Sequence, residues 1–200
     1  MPVTRARSRF DAQYYQRFYA DAQTCSVTEE EVRRQVAFFT AYLAHMGLPV
    51  RRILDLGCGL GLMRAPLLAA FPAASYTGVE WSEHLCARLG WQHGSVVDYR
   101  ARSAFDLVVC HDVLQYLDNA QAGRAIDNLA RLSRGALYLG VLTREDWEHN
   151  CDRTRTDDEV HLRRASWYRR KLAAHFRSAG GGVFLKHDAP VVLWELERGD

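Results

Sequence analysis

No run of roughly 18 consecutive apolar residues occurs in this chain of 200 residues, so nothing in it is long enough to span a bilayer as a helix. No apolar stretch follows Arg5, Arg7 and Arg9, so the N-terminus lacks the layout of a secretory signal. Cys25, Cys58, Cys86, Cys110 and Cys151 are odd in number, scattered and without a C-x-x-C pair, which argues against both a disulfide framework and a thiolate zinc site. These absences lead to the expectation of a cytoplasmic protein with no membrane partner. Charge of one sign is lacking too. The 26 Lys and Arg face 24 Asp and Glu, and a net charge of +2 is too balanced to announce a nucleic-acid or membrane surface. Internal repeats, low-complexity tracts and linkers are absent, and the expectation is a single domain over 1–200.

The chain does have clear periodicity. Phe10, Tyr14 and Phe18, with Tyr15 and Tyr19, recur at a spacing of four and predict a short aromatic helix. Thr28 followed by Glu31 has the form of a capping box, and Val32, Val36, Phe39, Leu43 and Met46 give the next helix its buried face up to Gly47. Residues 1–48 thus read as a helical cap. Strand-like and helical segments then alternate: strands over 52–56, 76–80, 95–97, 105–111 and 136–142, helices over 62–71, 83–89 and 120–132. Such alternation predicts a parallel α/β sheet with helices on both faces, a core spanning 50–142. The remainder, 143–200, reads as a substrate-side segment: a long irregular stretch over 143–165, a helix over 166–179, and an antiparallel hairpin of strands 183–186 and 191–196.

The chemistry concentrates at Ile53-Leu54-Asp55-Leu56-Gly57-Cys58-Gly59-Leu60-Gly61, where a buried strand passes through three alternate glycines into a helix. Glycine is needed where the backbone takes positive φ or a ligand must approach the main chain. In open α/β sheets, nucleotide-like ligands sit beyond the carboxyl ends of such strands. A nicotinamide or flavin dinucleotide site would want a small residue at position 62, which is Leu62, and a helix N-terminus free for a pyrophosphate, whereas Asp55 lies in the turn. A cationic ligand suits that carboxylate better than a dianionic one. The second strand then ends in Gly78-Val79-Glu80-Trp81-Ser82, with a carboxylate that can accept ribose hydroxyls and an indole that can wall a base, and the third ends in Val97-Asp98.

In this order of motifs the sequence resembles the class I S-adenosylmethionine-dependent methyltransferases of small-molecule type, over roughly 50–142 and more loosely through the terminal hairpin. Asp55 to Gly61 is similar to the family's first motif, Glu80 to its ribose-binding acid, Asp98 to its adenine-contacting acid, and the segment from Phe105 through Val113-Leu114-Gln115-Tyr116-Leu117 to its fourth-strand motif. The resemblance implies a doubly wound, Rossmann-like, seven-stranded and mostly parallel sheet with an antiparallel C-terminal hairpin strand. It further implies S-adenosyl-L-methionine as cofactor, held by Asp55, Gly57, Cys58, Gly59, Gly61, Glu80, Trp81, Val97, Asp98, Cys110 and His111.

Methyl transfer requires chiefly that a nucleophile be aligned with an already activated carbon, and a base helps only when the acceptor must lose a proton. His111, at a strand edge and followed by Asp112, is the candidate general base, with a satisfied structural histidine as the alternative. Tyr14, Tyr15 and Tyr19 are candidates for a lid, with core packing as the alternative, and His149 and His161 are candidates to face substrate, with solvated loop positions as theirs. Asp146, His149 and Asp152 do not form a metal-ligand spacing, so no metal is expected. Arg163, Arg164, Arg169, Arg170, Lys171 and Arg177, interleaved with Trp167 and Tyr168, either grip phosphates or form a solvated helix face. The fourth strand is followed by His111-Asp112-Val113-Leu114 rather than the Asp/Asn-Pro-Pro-Tyr/Phe of DNA amino methyltransferases, and no Pro-Cys nucleophile is present. A small-molecule acceptor is therefore expected, with RNA or protein acceptors left open, and a non-catalytic cofactor-binding scaffold or a dinucleotide oxidoreductase as competing readings.

Overall fold

The structure, a computed structural model, describes residues 10–20 and 27–199. The remainder of the expected cap, 1–9 and 21–26 with Cys25, lies outside the described residues. The chain begins with a short helix α1 (Ala12–Tyr15) capped by the Asp11 carboxylate and continued by a π-helical turn (Gln16–Ala20). Helix α2 (Glu29–His45) starts at the capping box: Glu31 N donates to Thr28 Oγ1 at 3.2 Å, and Thr28 N donates to Glu31 Oε2 at 2.8 Å.

The alternating region folds as β1 (Arg52–Leu56), α3 (Arg64–Ala70), β2 (Ser75–Glu80), α4 (Glu83–Leu89), β3 (Gln92–His93), β4 (Phe105–His111), α5 (Asn119–Leu132) and β5 (Ser133–Gly140). Then come α6 (Arg144–His149), α7 (Ala165–Leu172), β6 (Phe176–Gly180) and β7 (Val183–Lys186). The seven strands lie in the order β3-β2-β1-β4-β5-β7-β6, with β7 antiparallel to both of its neighbours and every other pair parallel. This is the doubly wound, mostly parallel sheet expected from the alternation. Period-two side chains divide the core: Leu107, Val109, Ala136 and Tyr138 face α2 and α3, while Val108, Cys110, Leu137 and Leu139 face α5 and α7.

Two expectations are corrected. The helix anticipated over 166–179 ends at Leu172, and Phe176–Gly180 is a strand, so the terminal hairpin pairs β6 with β7 and not 183–186 with 191–196. Leu172 and Phe176 are four apart and read as a helical face, but both are buried against the same side of the sheet from different elements. Gly181 and Gly182, at φ +57° and +80°, supply the two left-handed positions of a tight hairpin turn. The third strand is also shifted, from 95–97 to Gln92–His93, where it pairs with Val79 and Glu80. Among the described residues, no helix is long and apolar enough to cross a membrane.

Candidate active site

Strand β1 lies between β2 and β4, whose connections leave in opposite directions, so a crevice opens at their carboxyl ends. A cavity of about 240 Å³ occupies it, bounded by Gly57, Gly59, Glu80, Trp81, Val97 and His111 below and by Tyr14, Tyr15 and Tyr19 of the N-terminal helix above. A smaller lobe of about 70 Å³ is lined by Asp55, Cys58 and Met63, and a second cavity of about 180 Å³ lies between the N-terminal helix and the loops after β4 and β5. Asp112 and Tyr19 line all three.

The floor is a backbone cradle. Gly57, Gly59 and Gly61 have φ of +79°, +52° and +75°. A Cβ on Gly57 would run into Val113 Cγ2, and one on Gly61 would come within 2.5 Å of the Trp91 ring, whereas one on Gly59 would meet no protein atom within 4 Å. Gly59 therefore faces free space for a ligand, and the other two face protein. Glu80, buried at the tip of β2, holds the cradle: Oε2 accepts from Gly59 N at 2.8 Å, and Oε1 accepts from Trp81 N at 2.8 Å and Ser82 N at 2.9 Å. A carboxylate has roughly four acceptor positions, so about one remains for an incoming hydroxyl. Trp91 braces the turn from outside, donating Nε1–H to Gly59 O at 2.9 Å.

Asp55 is almost wholly buried and accepts a hydrogen bond from Tyr76 Oη at 2.7 Å. Burial pushes its pKa up to about 6, against the lowering by that hydrogen bond and by His111. His111 donates or accepts on both sides: Nδ1 lies 3.0 Å from Asp112 Oδ2, and Nε2 lies 2.8 Å from Gln35 Nε2 on α2. Burial alone would depress the His111 pKa, but the Asp112 carboxylate outweighs it and holds the imidazole above the usual histidine range. With Nδ1–H directed to Asp112, Nε2 is the basic nitrogen, and it becomes available only as Gln35 turns away. Asp112 is the one non-glycine among the described residues with positive φ, +55°, and its amide donates to Gly140 O at 2.9 Å. Backbone strain of this kind collects where a side chain must be aimed.

The roof is aromatic. Tyr14 and Tyr116 share a hydroxyl–hydroxyl hydrogen bond at 2.8 Å, Phe10 packs edge-on against both, and Ser82 Oγ donates to Phe10 O at 2.6 Å. The wall after β5 is tied down by Arg163, which is buried and donates to Leu114 O, Leu117 O, His161 O, Asn119 Oδ1 and Tyr168 Oη. Arg163 thus leaves the basic cluster read from the sequence and serves as an internal clip.

The other sequence candidates fall elsewhere. Gly61 supports the turn against Trp91 without lining the cavity. Asp98 is exposed on the turn after Val97, outside the cavity lining. Cys110 is fully enclosed in the core, where burial pushes its thiol up and keeps it protonated. His149 and His161 are exposed and line none of the three cavities. Gln35, Tyr76, Trp91, Gln115 and Tyr116 carry contacts that the sequence did not assign. Gln115 and Tyr116 stood inside the quoted fourth-strand motif, but nothing local distinguishes Gln35 or Trp91.

Residues 54–135 match the family model described as a methyltransferase domain. The chain is 30% identical over 115 residues to the ubiquinone biosynthesis O-methyltransferase of Azoarcus sp. strain BH72, covering 50% of this chain and 48% of that protein. It is 33% identical over 112 residues to the enzyme of the same name from Aromatoleum aromaticum, covering 49% and 47%. The chain spans about half the length of these curated relatives. The likeness of fold extends further: magnesium protoporphyrin IX methyltransferase from Synechocystis PCC 6803 with bound SAH superposes with a TM-score of 0.64 at 20% identity, over 92% of this chain and 97% of that one.

Proposed function

We propose that this methyltransferase domain uses S-adenosylmethionine to methylate a small-molecule acceptor. The observation that carries the reading is the Glu80–Gly59 cradle: a buried carboxylate with one acceptor position left, beside a glycine whose missing Cβ opens onto the main cavity. These residues fit the cofactor. Glu80 would take a ribose hydroxyl, Trp81 and Val97 would bound the adenine, and Asp55 in the adjoining lobe would offset the cofactor's positive charge. When bound, the cofactor supplies a methyl group on a positively charged sulfur, which the acceptor's lone pair displaces while the sulfur keeps the bonding pair and becomes a neutral thioether. The protein's part is alignment under the aromatic roof, exclusion of water, and uptake of the acceptor's proton by His111 Nε2 with Asp112 holding Nδ1.

In this proposal the chain acts as one domain, with 1–48 as cap, 50–142 as the cofactor core and 143–200 as the acceptor side. A cytoplasmic location belongs to it, supported by cysteines that are free among the described residues.

Calorimetric titration with S-adenosylhomocysteine (SAH) and with NADH tests the reading. SAH is expected to bind and NADH is not. Glu80→Ala is expected to weaken SAH binding by about 1–3 kcal/mol, the loss of one partner of a charged hydrogen bond, and Tyr14→Ala to weaken it by removing part of the roof. Preference for NADH, or an unchanged SAH affinity in Glu80→Ala, refutes the assignment, whereas SAH binding without product from any acceptor leaves a non-catalytic binder.

A further inference from the structure

Part of the main cavity's wall is a loop: Gly94, Ser95, Val96 and Val97, which follow β3, line it consecutively. What holds this loop lies behind it, on α5. Asn128 is 5% exposed and lines none of the three cavities. Its Nδ2 donates to Val96 O at 2.9 Å and to Tyr99 O at 3.1 Å. Tyr99 carries the hold back to the start of the loop, since a Cβ on Gly94 would come within 3.1 Å of its ring, and its hydroxyl donates to Gln92 Oε1 at 2.8 Å.

The other end of the amide is equally committed. Asn128 Oδ1 accepts from Arg100 Nη1 at 2.9 Å and from Arg131 Nη2 at 2.7 Å, with Arg131 Nε at 3.2 Å. The same guanidiniums reach the main chain of the loop, Arg131 Nη2 at Tyr99 O (2.7 Å) and Arg100 Nη1 at Asp98 O (3.1 Å). Two cations thus share one carbonyl oxygen in spite of their repulsion. Rotating the amide by half a turn would set its N–H groups against the guanidiniums and its oxygen against two carbonyls, so only one orientation works. A buried polar network satisfied in this way is rigid and specifies one geometry.

We infer that Asn128 is a positioning residue for the adenosine end of the cofactor: without touching the ligand, it sets where the 94–97 wall stands. The inference rests on the methyltransferase reading for the identity of that ligand. Placement matters because an apolar wall such as Val97 grips a base by van der Waals contact, and a gap of about 0.5–1 Å forfeits a quarter to a half of that attraction. Glu80 pins the glycine floor through its own bond to Gly59 N, so wall and floor have separate anchors.

Asn128→Asp separates the two halves of the network at almost constant volume. Its carboxylate still meets Arg100 and Arg131, now as an ion pair, while an oxygen replaces the donor to Val96 O and Tyr99 O. SAH and adenosine are titrated calorimetrically into the full chain and its variants. Both ligands are expected to weaken by the same factor in Asn128→Asp, about tenfold, because adenosine lacks only the amino-acid tail and the change lies at the other end. NMR amide shifts should move over 94–100 and hold at Gly59 and Ser82, the donors to Glu80. Arg131→Met, at an exposed position and therefore safe for folding, removes two of the supporting bonds and should weaken both ligands about threefold. Unchanged adenosine affinity in Arg131→Met and Asn128→Asp overturns the inference. So does a larger loss for SAH than for adenosine together with shifts at Gly59 and Ser82, which marks a general loosening of the fold. Failure of the parent chain to bind either ligand sinks the methyltransferase reading and this role with it, whereas normal binding by parent and variants alike sinks this role alone.

Discussion

Asp112 Oδ2 lies 3.0 Å from His111 Nδ1, and the backbone between these neighbours turns through a φ of +55° to bring the two side chains together. Consecutive residues at the end of a strand ordinarily point to opposite faces. Here the amide of Asp112 is pinned to Gly140 O, and Gly140 has no Cβ because the His111 ring occupies that place. The pairing thus depends on a small residue in the next strand as well as on the two partners.

Their titration should be visible in stability. The His111 pKa is raised, so its contribution is complete below the unfolded histidine value and is lost as pH rises through the folded one; the Asp112 pKa is lowered, so its contribution is present above the unfolded carboxylate value and is lost as pH falls through the folded one. The pair is therefore strongest between about pH 4 and about pH 6.5. Asp112→Asn, which tolerates positive φ, is expected to show its largest stability deficit in that window and a smaller one on either side. Urea unfolding across pH checks this, and an NMR titration should show the His111 pKa falling in the variant. A deficit independent of pH would mean that the pair is not ionic.

Asp55 is expected to behave in the opposite sense. Its pKa is raised to about 6, so the folded state favours the neutral acid, and ionisation penalises folding progressively as pH climbs from about 4 through about 6. Asp55→Asn keeps an acceptor for Tyr76 and removes that penalty. The variant should exceed the parent in stability by about 1–3 kcal/mol near neutral pH and match it near pH 4, while binding SAH less well. Equal pH profiles for variant and parent would contradict the buried, ionisable state of this carboxyl.

The glycines of the turn should separate by task. Gly57→Ala and Gly59→Ala share the strain of a left-handed alanine, about 1–2 kcal/mol. Gly57→Ala also forces a methyl into Val113, adding about 1–3 kcal/mol of overpacking. Gly59→Ala should cost only the strain in denaturant unfolding yet lose much of its SAH affinity, because its methyl would occupy the cavity. Full affinity in Gly59→Ala would remove Gly59 from the ligand's path.

The sheet core was legible because its signals are local: period-two strands, helices with capping boxes, and glycines at a strand end. Position along the chain was enough to bring Glu80 and the glycine turn to one edge. The tail misled because Leu172 and Phe176 obey helical spacing while belonging to a helix and a strand that pack on one face, and because Gly180, just past the helix expected over 166–179, opens the Gly180-Gly181-Gly182 hairpin turn. The support of the site was illegible for a different reason. Gln35 meets His111, Trp91 meets Gly59, and Tyr14 meets Tyr116 only after the sheet has closed, and each is an ordinary polar or aromatic residue in its own segment.

Arg163 gives the acceptor side a mechanical character. By donating to Leu114 O and Leu117 O after β4, to Asn119 at the start of α5 and to His161 in its own loop, one guanidinium latches together segments far apart in sequence. Residues 150–160 hang from that latch as a replaceable panel. Evolution or engineering could exchange the panel, and with it one wall of the second cavity, while the floor that holds the glycine turn stays untouched.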